Sequence, residues 1–254
     1  MPMSKRIKTI TAGRLVSAVC YTVAGPRDGE QERSCKREMS SAGQDSINLR
    51  RSWQKLEMTL AANFGGQDLH VVHTYDDAHI PIHKDAALKQ YRKMLKLLRG
   101  ARKMAGQKTR YIYVTEQLSS EGGRLHHHMV LNGTGRDVEV LRSLWPYGQV
   151  EVERLDVWEG YEALARYLTK EPREVGKCRV GERTWTPSIG LRKPKTETET
   201  VKDNVTITLP PGAFVLSRKA DNNGWGEYLY LKYLLPEKKG DKKGRRPPAK
   251  RKPA

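Results

Sequence analysis

Two strand patterns separated by a short turn constrain the fold more than any other feature of the sequence. The segment TRYIYVTEQ (109–117) is rich in β-branched and aromatic residues, and RLHHHMVLNG (124–133) is apolar apart from its histidines and its ends. The turn sequence SSEGG lies between them, so the two strands are expected to pair in antiparallel fashion. Helix and strand patterns alternate around this hairpin. We therefore expect an α+β fold in which helices pack on a central antiparallel sheet.

Helical spacing of apolar residues predicts two amphipathic helices before the hairpin. The core stripes are Leu49, Trp53, Leu56 and Leu60 in the first helix, and Leu88, Tyr91, Leu95 and Leu98 in the second. The rest of the second helix is expected to be a cationic surface made of Lys89, Arg92, Lys93, Lys96, Arg99, Arg102 and Lys103. Strands are expected at 69–75 and 148–155, and shorter helices at 137–145 and 158–170, stopped by Pro146 and Pro172.

The two ends of the chain are patterned more weakly than its centre. Residues 1–43 are expected to form one strand, RLVSAVCYTV, and a charged linker, and residues 44–195 the central domain. Residues 196–236 are expected to be a β-rich extension packed on the core, with strands in NVTITLPPGAFVLS and GEYLYLKYLL. Residues 237–254 contain alanine and proline as their only apolar side chains and are expected to be a disordered basic tail.

Charge and cysteine content restrict the partners and the compartment. The chain has 47 Lys and Arg against 29 Asp and Glu, a formal net charge of +18, which favours a polyanionic partner, nucleic acid first. No run of about 18 apolar residues is present, so no membrane partner is expected. The cysteines, Cys20, Cys35 and Cys178, are odd in number and irregularly spaced, which predicts neither a disulfide framework nor a zinc site and favours a reducing cytoplasm.

The three consecutive histidines of the hairpin separate by strand parity. In a strand, side chains at i and i+2 point to the same face, so His126 and His128 project together while His127 joins Leu125 and Met129. Two neighbouring imidazoles can each place one nitrogen on a single metal ion. The alternative is a pair of structural histidines with satisfied hydrogen bonds.

A carboxylate can complete such a site from the partner strand. Glu116 is placed where it can sit beside the histidines across the hairpin, with Gln117 and Glu121 as alternative third ligands. Two imidazoles and a carboxylate leave positions open for water and phosphate oxygens. This donor set suits a catalytic divalent cation, Mg²⁺ or Mn²⁺, better than a closed structural zinc site.

The predicted helix at 158–170 carries a candidate nucleophile. At 100° per residue Tyr161 falls on the apolar stripe and is expected to be a core residue, whereas Tyr167 and Lys170 lie together on another side. The ammonium group of Lys170 could stabilise the phenolate of Tyr167 or the phosphate that it attacks. The alternative is a tyrosine at the edge of the packed face.

These motifs, in this order, resemble those of the HUH endonucleases. HTYDD resembles their first motif, LHHHMVLNG their second and ALARYLTKEPRE their third, and WTPSIGLRKP resembles a basic segment that follows. Within that superfamily the chain is most similar to rolling-circle replication initiators, of the filamentous-phage gene II type and of Firmicutes mobile elements. The resemblance covers about residues 46–194 and implies an RRM-like or palm-like sheet. The middle position of the second motif is normally bulky and apolar, and His127 departs from that pattern.

The resemblance also implies a reaction and a set of site residues. Tyr167 would attack a DNA phosphodiester, remain linked to the 5′ phosphate and release a 3′ hydroxyl that primes synthesis, with Lys170 assisting. His126, His128 and Glu116 would hold the metal. Single-stranded or hairpin origin DNA would be bound through its backbone by nearby cations, for which we select Lys89, Arg92, Lys96, Arg99, Arg124, Arg166, Arg192 and Lys193.

The sequence also predicts which partners the protein would need, and it leaves two alternative functions open. GARKMAGQKT is not a P-loop, so no helicase module is expected, and a helicase and a polymerase of a bacterial host would have to act with this protein. One alternative is a transposase or relaxase with the same chemistry. Another is a basic nucleic-acid-binding protein without catalysis, whose histidines are structural.

Overall fold

A computed structural model describes residues 4–23, 42–117, 125–169, 184–222 and 226–237. In chain order the elements of its first half are β1 (Ser4–Ala12), β2 (Leu15–Val23), α1 (Ala42–Asn63), β3 (Leu69–Thr74), α2 (Lys84–Met104), β4 (Tyr111–Gln117) and β5 (Leu125–Leu131). Those of its second half are α3 (Asp137–Leu144), β6 (Val150–Arg154), α4 (Glu162–Leu168), β7 (Thr186–Pro187), β8 (Lys195–Lys202), β9 (Phe214–Asn222) and β10 (Glu227–Leu234).

The strands form two five-stranded sheets. The central sheet has the order β6-β3-β5-β4-β7, and the second sheet has the order β8-β1-β2-β10-β9. The pairings in both sheets are antiparallel, and β4 and β5 pair as the predicted hairpin. The prediction of an α+β fold with helices on an antiparallel sheet is confirmed.

Each face of the central sheet is covered by a different pair of helices. On one face, Leu125, Met129 and Leu131 of β5 pack with α2 and α3. On the other face, Val130 of β5 packs with residues of α1 and α4 such as Trp53. These two faces are called here the α2 face and the α4 face. Consecutive residues of β5 therefore lie in two separate cores.

The second helix follows its predicted stripe except at Arg102. Tyr91, Leu95 and Leu98 are buried as expected, but the prediction that Arg102 is exposed is wrong, because its side chain is 3% exposed. Its guanidinium group lies 2.6 Å from the carboxylate of Asp137 and also donates to Asn132. Burial of this cation is tolerated because it is paired and hydrogen-bonded. It joins the end of α2 to the start of α3.

The second sheet combines both ends of the described chain. β1 lies between β2 and β8, and β2 pairs with β10, so strands about two hundred residues apart are neighbours. The predicted strand at 14–23 is present as β2, but β1 and β8 were not expected, and NVTITLPPGAFVLS is a strand only from Phe214 onward. Apolar side chains of this sheet contact Met58 and Ala62 of α1. The linker at 24–41 and the tail at 238–254 lie outside the described residues.

The last predicted helix is shorter than its pattern suggested. α4 begins at Glu162, after Tyr161, and ends at Leu168, so the turn at 158–161 is not helical. The positive φ of 78° at Gly160 is one that glycine adopts readily and that suits this turn. No helix in the described ranges is apolar and long enough to cross a membrane.

Candidate active site

The register of the central hairpin places Glu116 beside the two outer histidines. Glu116 is opposite His126, and Val114 is opposite His128, so these side chains share the α4 face. Nε2 of His128 lies 2.9 Å from Oε2 of Glu116, and both side chains are buried. A proton on Nε2 is therefore donated to the carboxylate across the strand pair.

His126 lies at the more open end of this group. Its ring centroid is 6.4 Å from that of His128, and its side chain is half-buried. On β3 its register partner is Thr74, the last residue of that strand. Glu116 of β4 and His126 of β5 therefore lie side by side near the N-terminal end of β5.

Tyr167 reaches the same group from α4. Ala165 and Leu168 are buried against the α4 face, while the side chain of Tyr167 remains 43% exposed. Its ring meets the imidazole of His128 edge-on, with 5.3 Å between centroids and 88° between planes. The structure thus brings together Tyr167, His128 and Glu116, which are 51 residues apart at most in the sequence.

The other tyrosine of this region has a structural environment. Tyr161 is buried, and its hydroxyl donates to the backbone carbonyl of Phe64. Burial raises the pKa of this phenol, which disfavours the phenolate. Its placement agrees with the prediction that Tyr161 is a core residue.

The sequence pattern missed a third histidine on the same face. The imidazole of His70, on β3, stacks on that of His128 with 5.6 Å between centroids and 12° between planes, and it also meets Tyr167 edge-on at 6.5 Å. Burial, with the nearby charge of His128, lowers the pKa of His70 to about 4. Strand parity puts His70 on one face with Val72 and Thr74. Its proximity to His128 follows from the register of β3 on β5, which the sequence alone does not reveal.

The donor types at this site fit a divalent cation. His126, His128 and Glu116 could supply two nitrogens and a carboxylate, and the buried Nδ1 of His128 has no hydrogen-bond partner. Within the described ranges, no three His, Cys, Asp or Glu side chains are already arranged to hold a metal ion. One alternative ligand, Gln117, is opposite Leu125 in the register of β4 on β5, one position away from the pair of Glu116 and His126. The other alternative, Glu121, lies outside the described residues.

His127 is fully buried on the α2 face. Its Nε2 lies 2.9 Å from the hydroxyl of Tyr75, and its Nδ1 lies 2.8 Å from that of Thr115. Its ring stacks on Tyr91 at a centroid distance of 4.0 Å. Burial, reinforced by the neighbouring histidines, holds the pKa of His127 well below its usual range. The departure from an apolar middle residue is thus accommodated by a neutral imidazole with two hydroxyl partners.

The cations selected for DNA binding fall in separate places. Arg166 adjoins Tyr167, but it forms an ion pair with Glu162 at 2.7 Å and lies over the ring of Trp53. Arg192 and Lys193 line a cavity of about 410 Å³ beside the end of α1. The cations of α2, which are Lys89, Arg92, Lys96 and Arg99, lie on the side of the sheet away from Tyr167. Arg124 and Lys170 lie outside the described residues.

Comparison with known proteins finds a family match for the central part of the chain. Residues 68–172 match the family model of the replication-associated protein ORF2/G2P, and this range runs from β3 past α4. It contains His70, Glu116, His126, His128 and Tyr167. No curated protein and no solved structure gives a significant match. Residues 68–172 are therefore similar to the replication-associated protein ORF2/G2P family.

Proposed function

We propose that this protein starts rolling-circle replication by nicking and rejoining single-stranded origin DNA through a covalent bond to Tyr167. The match of residues 68–172 to the replication-associated protein ORF2/G2P family supports a replication initiator. The observation that carries the chemical step is the half-exposed phenol of Tyr167 against the buried His128–Glu116 pair. A DNA phosphate can reach this phenol from solvent, while the donor atoms beside it are held by the sheet.

The nicking step exchanges one phosphate ester for another. The phenol oxygen of Tyr167 forms a bond to the phosphorus of a phosphodiester, and the bond from that phosphorus to the 3′ oxygen breaks. The phenol gives up its proton, and the leaving 3′ oxygen gains one to become a free hydroxyl. The 5′ phosphate stays on the tyrosine, so attack by a 3′ hydroxyl on this linkage reverses the reaction and rejoins the strand.

We assign roles to the remaining site residues. His126, His128 and Glu116 would hold Mg²⁺ or Mn²⁺, which when bound neutralises charge on the non-bridging phosphate oxygens. Glu116 orients the imidazole of His128 through their hydrogen bond. His128 in turn packs against the ring of Tyr167 and fixes its approach to the sheet. Lys170 is expected to assist at the phosphate, as the family resemblance implies.

A covalent-adduct assay tests this proposal. The full-length protein would be incubated with Mn²⁺ and a library of end-labelled single-stranded oligonucleotides that form hairpins, and adducts would be resolved on a denaturing gel. We expect wild-type protein to form an adduct and Tyr167→Phe to form none. Tyr228→Phe is a matched control, because Tyr228 is also 43% exposed but lies on the second sheet, and it should form the adduct as wild type does.

Two outcomes would contradict the proposal in different ways. An adduct that persists in Tyr167→Phe would mean that another residue is the nucleophile. Failure of the wild-type protein to form an adduct with any hairpin of the library, with DNA binding retained, would favour the nucleic-acid-binding protein without catalysis.

A further inference from the structure

The second helix carries a continuous cationic surface that the proposed nicking site does not use. This surface, called here the α2 basic face, consists of the exposed side chains of Lys89, Arg92, Lys93, Lys96, Arg99 and Lys103. Asp85 is the only acidic residue of the helix. No carboxylate among the described residues forms an ion pair with any of these six cations. Their charge is therefore available to an external polyanion.

The α2 basic face and the nicking site lie on opposite sides of the central sheet. The inner side of α2, with Tyr91 and Leu98, packs on the face that holds Met129. His128 and Tyr167 lie on the other face, under α1 and α4. The two surfaces are separated by the sheet and by α2 itself, and the diameter of an α-helix is about 10 Å. The few nucleotides that surround a phosphate at Tyr167 cannot also lie on the α2 basic face.

The composition of this face indicates the kind of nucleic acid that it fits. Single strands are held largely by bases stacked on exposed aromatic rings. The large apolar side chains that α2 exposes are those of Leu97 and Met104, and its buried aromatic residue, Tyr91, faces the sheet. Positions 89 to 103 extend for about 21 Å along the helix. A straight row of cations without stacking groups is suited to the phosphate backbone of a duplex.

We propose that the α2 basic face binds the backbone of duplex DNA, while the α4 face receives the single strand that is cut. The inference of a duplex contact depends only on the charge of α2 and on its position in the fold. The inference that both surfaces bind one DNA molecule rests on the proposed nicking function. The duplex would then be the double-stranded DNA that flanks the cleaved segment, and the contact would be independent of base sequence.

The test compares two triple variants of equal charge loss. Lys89→Gln, Arg92→Gln and Lys96→Gln remove charge from the α2 basic face. Lys202→Gln, Arg218→Gln and Lys219→Gln remove two lysines and one arginine from exposed positions of β8 and β9. The probes are a labelled duplex of about 20 base pairs and an oligo-dT strand of the same length, titrated over a range of salt concentrations.

The α2 variant is expected to bind the duplex at least about 10-fold more weakly, with a salt slope smaller by about two to three. Its binding of oligo-dT should stay as in wild type, and the control variant should bind the duplex as wild type does. Far-UV circular dichroism and thermal melting establish that both variants are folded.

Three results would overturn this inference. Duplex binding that is unchanged in the α2 variant would exclude the α2 basic face. Equal weakening in both variants would mean that only net charge matters, and a parallel loss of oligo-dT binding would place α2 on the path of the single strand. Absence of the tyrosine adduct in wild-type protein would contradict the nicking function and leave the duplex result intact.

Discussion

His127 and His128 are adjacent in the sequence but belong to different environments. His128 bonds to Glu116 and contacts Tyr167 on the α4 face. His127 lies between the hydroxyls of Tyr75 and Thr115 on the α2 face. His73 is opposite His127 in the register of β3 on β5 and is also fully buried. The α2 face therefore contains two fully buried imidazoles, and burial disfavours their charged form.

The buried histidines predict a loss of stability in mild acid. Burial lowers the pKa of His73 to about 3 and that of His127 well below its usual range. Below a pH of about 6.5 the unfolded chain takes up a proton on each of them that the folded chain excludes, so the free energy of unfolding falls as the pH falls. His127→Gln should reduce this slope by about 1.4 kcal/mol per pH unit. Urea unfolding between about pH 6.5 and 4.5 measures it.

The matched control for this prediction is Met129→Leu. Met129 is buried on the same face of the sheet but does not titrate, so its replacement should leave the slope as in wild type. The absolute stability of His127→Gln is expected to be lower at neutral pH because the two hydroxyl partners are disturbed, and only the slope is diagnostic. An unchanged slope in His127→Gln would mean that this imidazole is protonated in the folded protein.

The two outer histidines are expected to matter for catalysis more than for folding. His126→Ala and His128→Ala should each lower the adduct yield by about 100-fold or more, since each removes a proposed metal ligand. Far-UV circular dichroism and salt-dependent DNA binding should stay close to those of wild type. Calorimetric titration with Mn²⁺ should show weaker binding in both variants. Loss of folding in both would instead assign a structural role to the pair.

At the scale of elements, α4 is fixed by a buried ion network from the second sheet. The ammonium group of Lys232, on β10, bonds to Glu57 of α1 at 2.9 Å and also to Glu162 in the first turn of α4. The side chain of Lys232 is 3% exposed. Burial acts to lower the pKa of Lys232, but its bonds to Glu162 and Glu57 outweigh this and raise it. The element that carries Tyr167 is thus joined to a strand 70 residues away.

Lys232→Met should destabilise the protein by about 3 to 5 kcal/mol, because it leaves the carboxylate of Glu57 buried without its partner. Urea unfolding measures the loss. The double variant Lys232→Met with Glu57→Met should recover a large part of it, since it removes both buried charges. A single variant as stable as wild type, or a double variant that recovers nothing, would contradict this role of the ion pair.

Elements with local signals could be predicted, and those with distant partners could not. The apolar stripe of α2 and the hairpin of β4 and β5 follow from spacing within a few residues. β8 has the sequence KTETETVK and is a strand because β1, almost two hundred residues earlier, pairs with it. Arg102 looked like a surface cation because its partner, Asp137, lies in a later helix.

At the scale of the whole molecule, the central sheet has the proposed nicking residues on its α4 face and the buried, hydrogen-bonded His127 on its α2 face. Strand parity alone predicted that His126 and His128 diverge from His127, and the structure agrees. Parity could not show that α4 packs on this face of the sheet with Tyr167 against His128. It also could not show that His70 stacks on His128. Those contacts depend on how strands and helices pack, including the contribution of the second sheet through Lys232.

The most direct test of the account is to identify the residue that becomes linked to DNA. Trypsin cleaves after Arg154, Arg166 and Lys170, so Tyr161 and Tyr167 fall in different peptides. After adduct formation and nuclease trimming, mass spectrometry should find a 5′-phosphate-linked nucleotide on peptide 167–170 and none on peptide 155–166. A nucleotide on peptide 155–166, or on any peptide other than 167–170, would contradict the assignment of Tyr167 as the nucleophile.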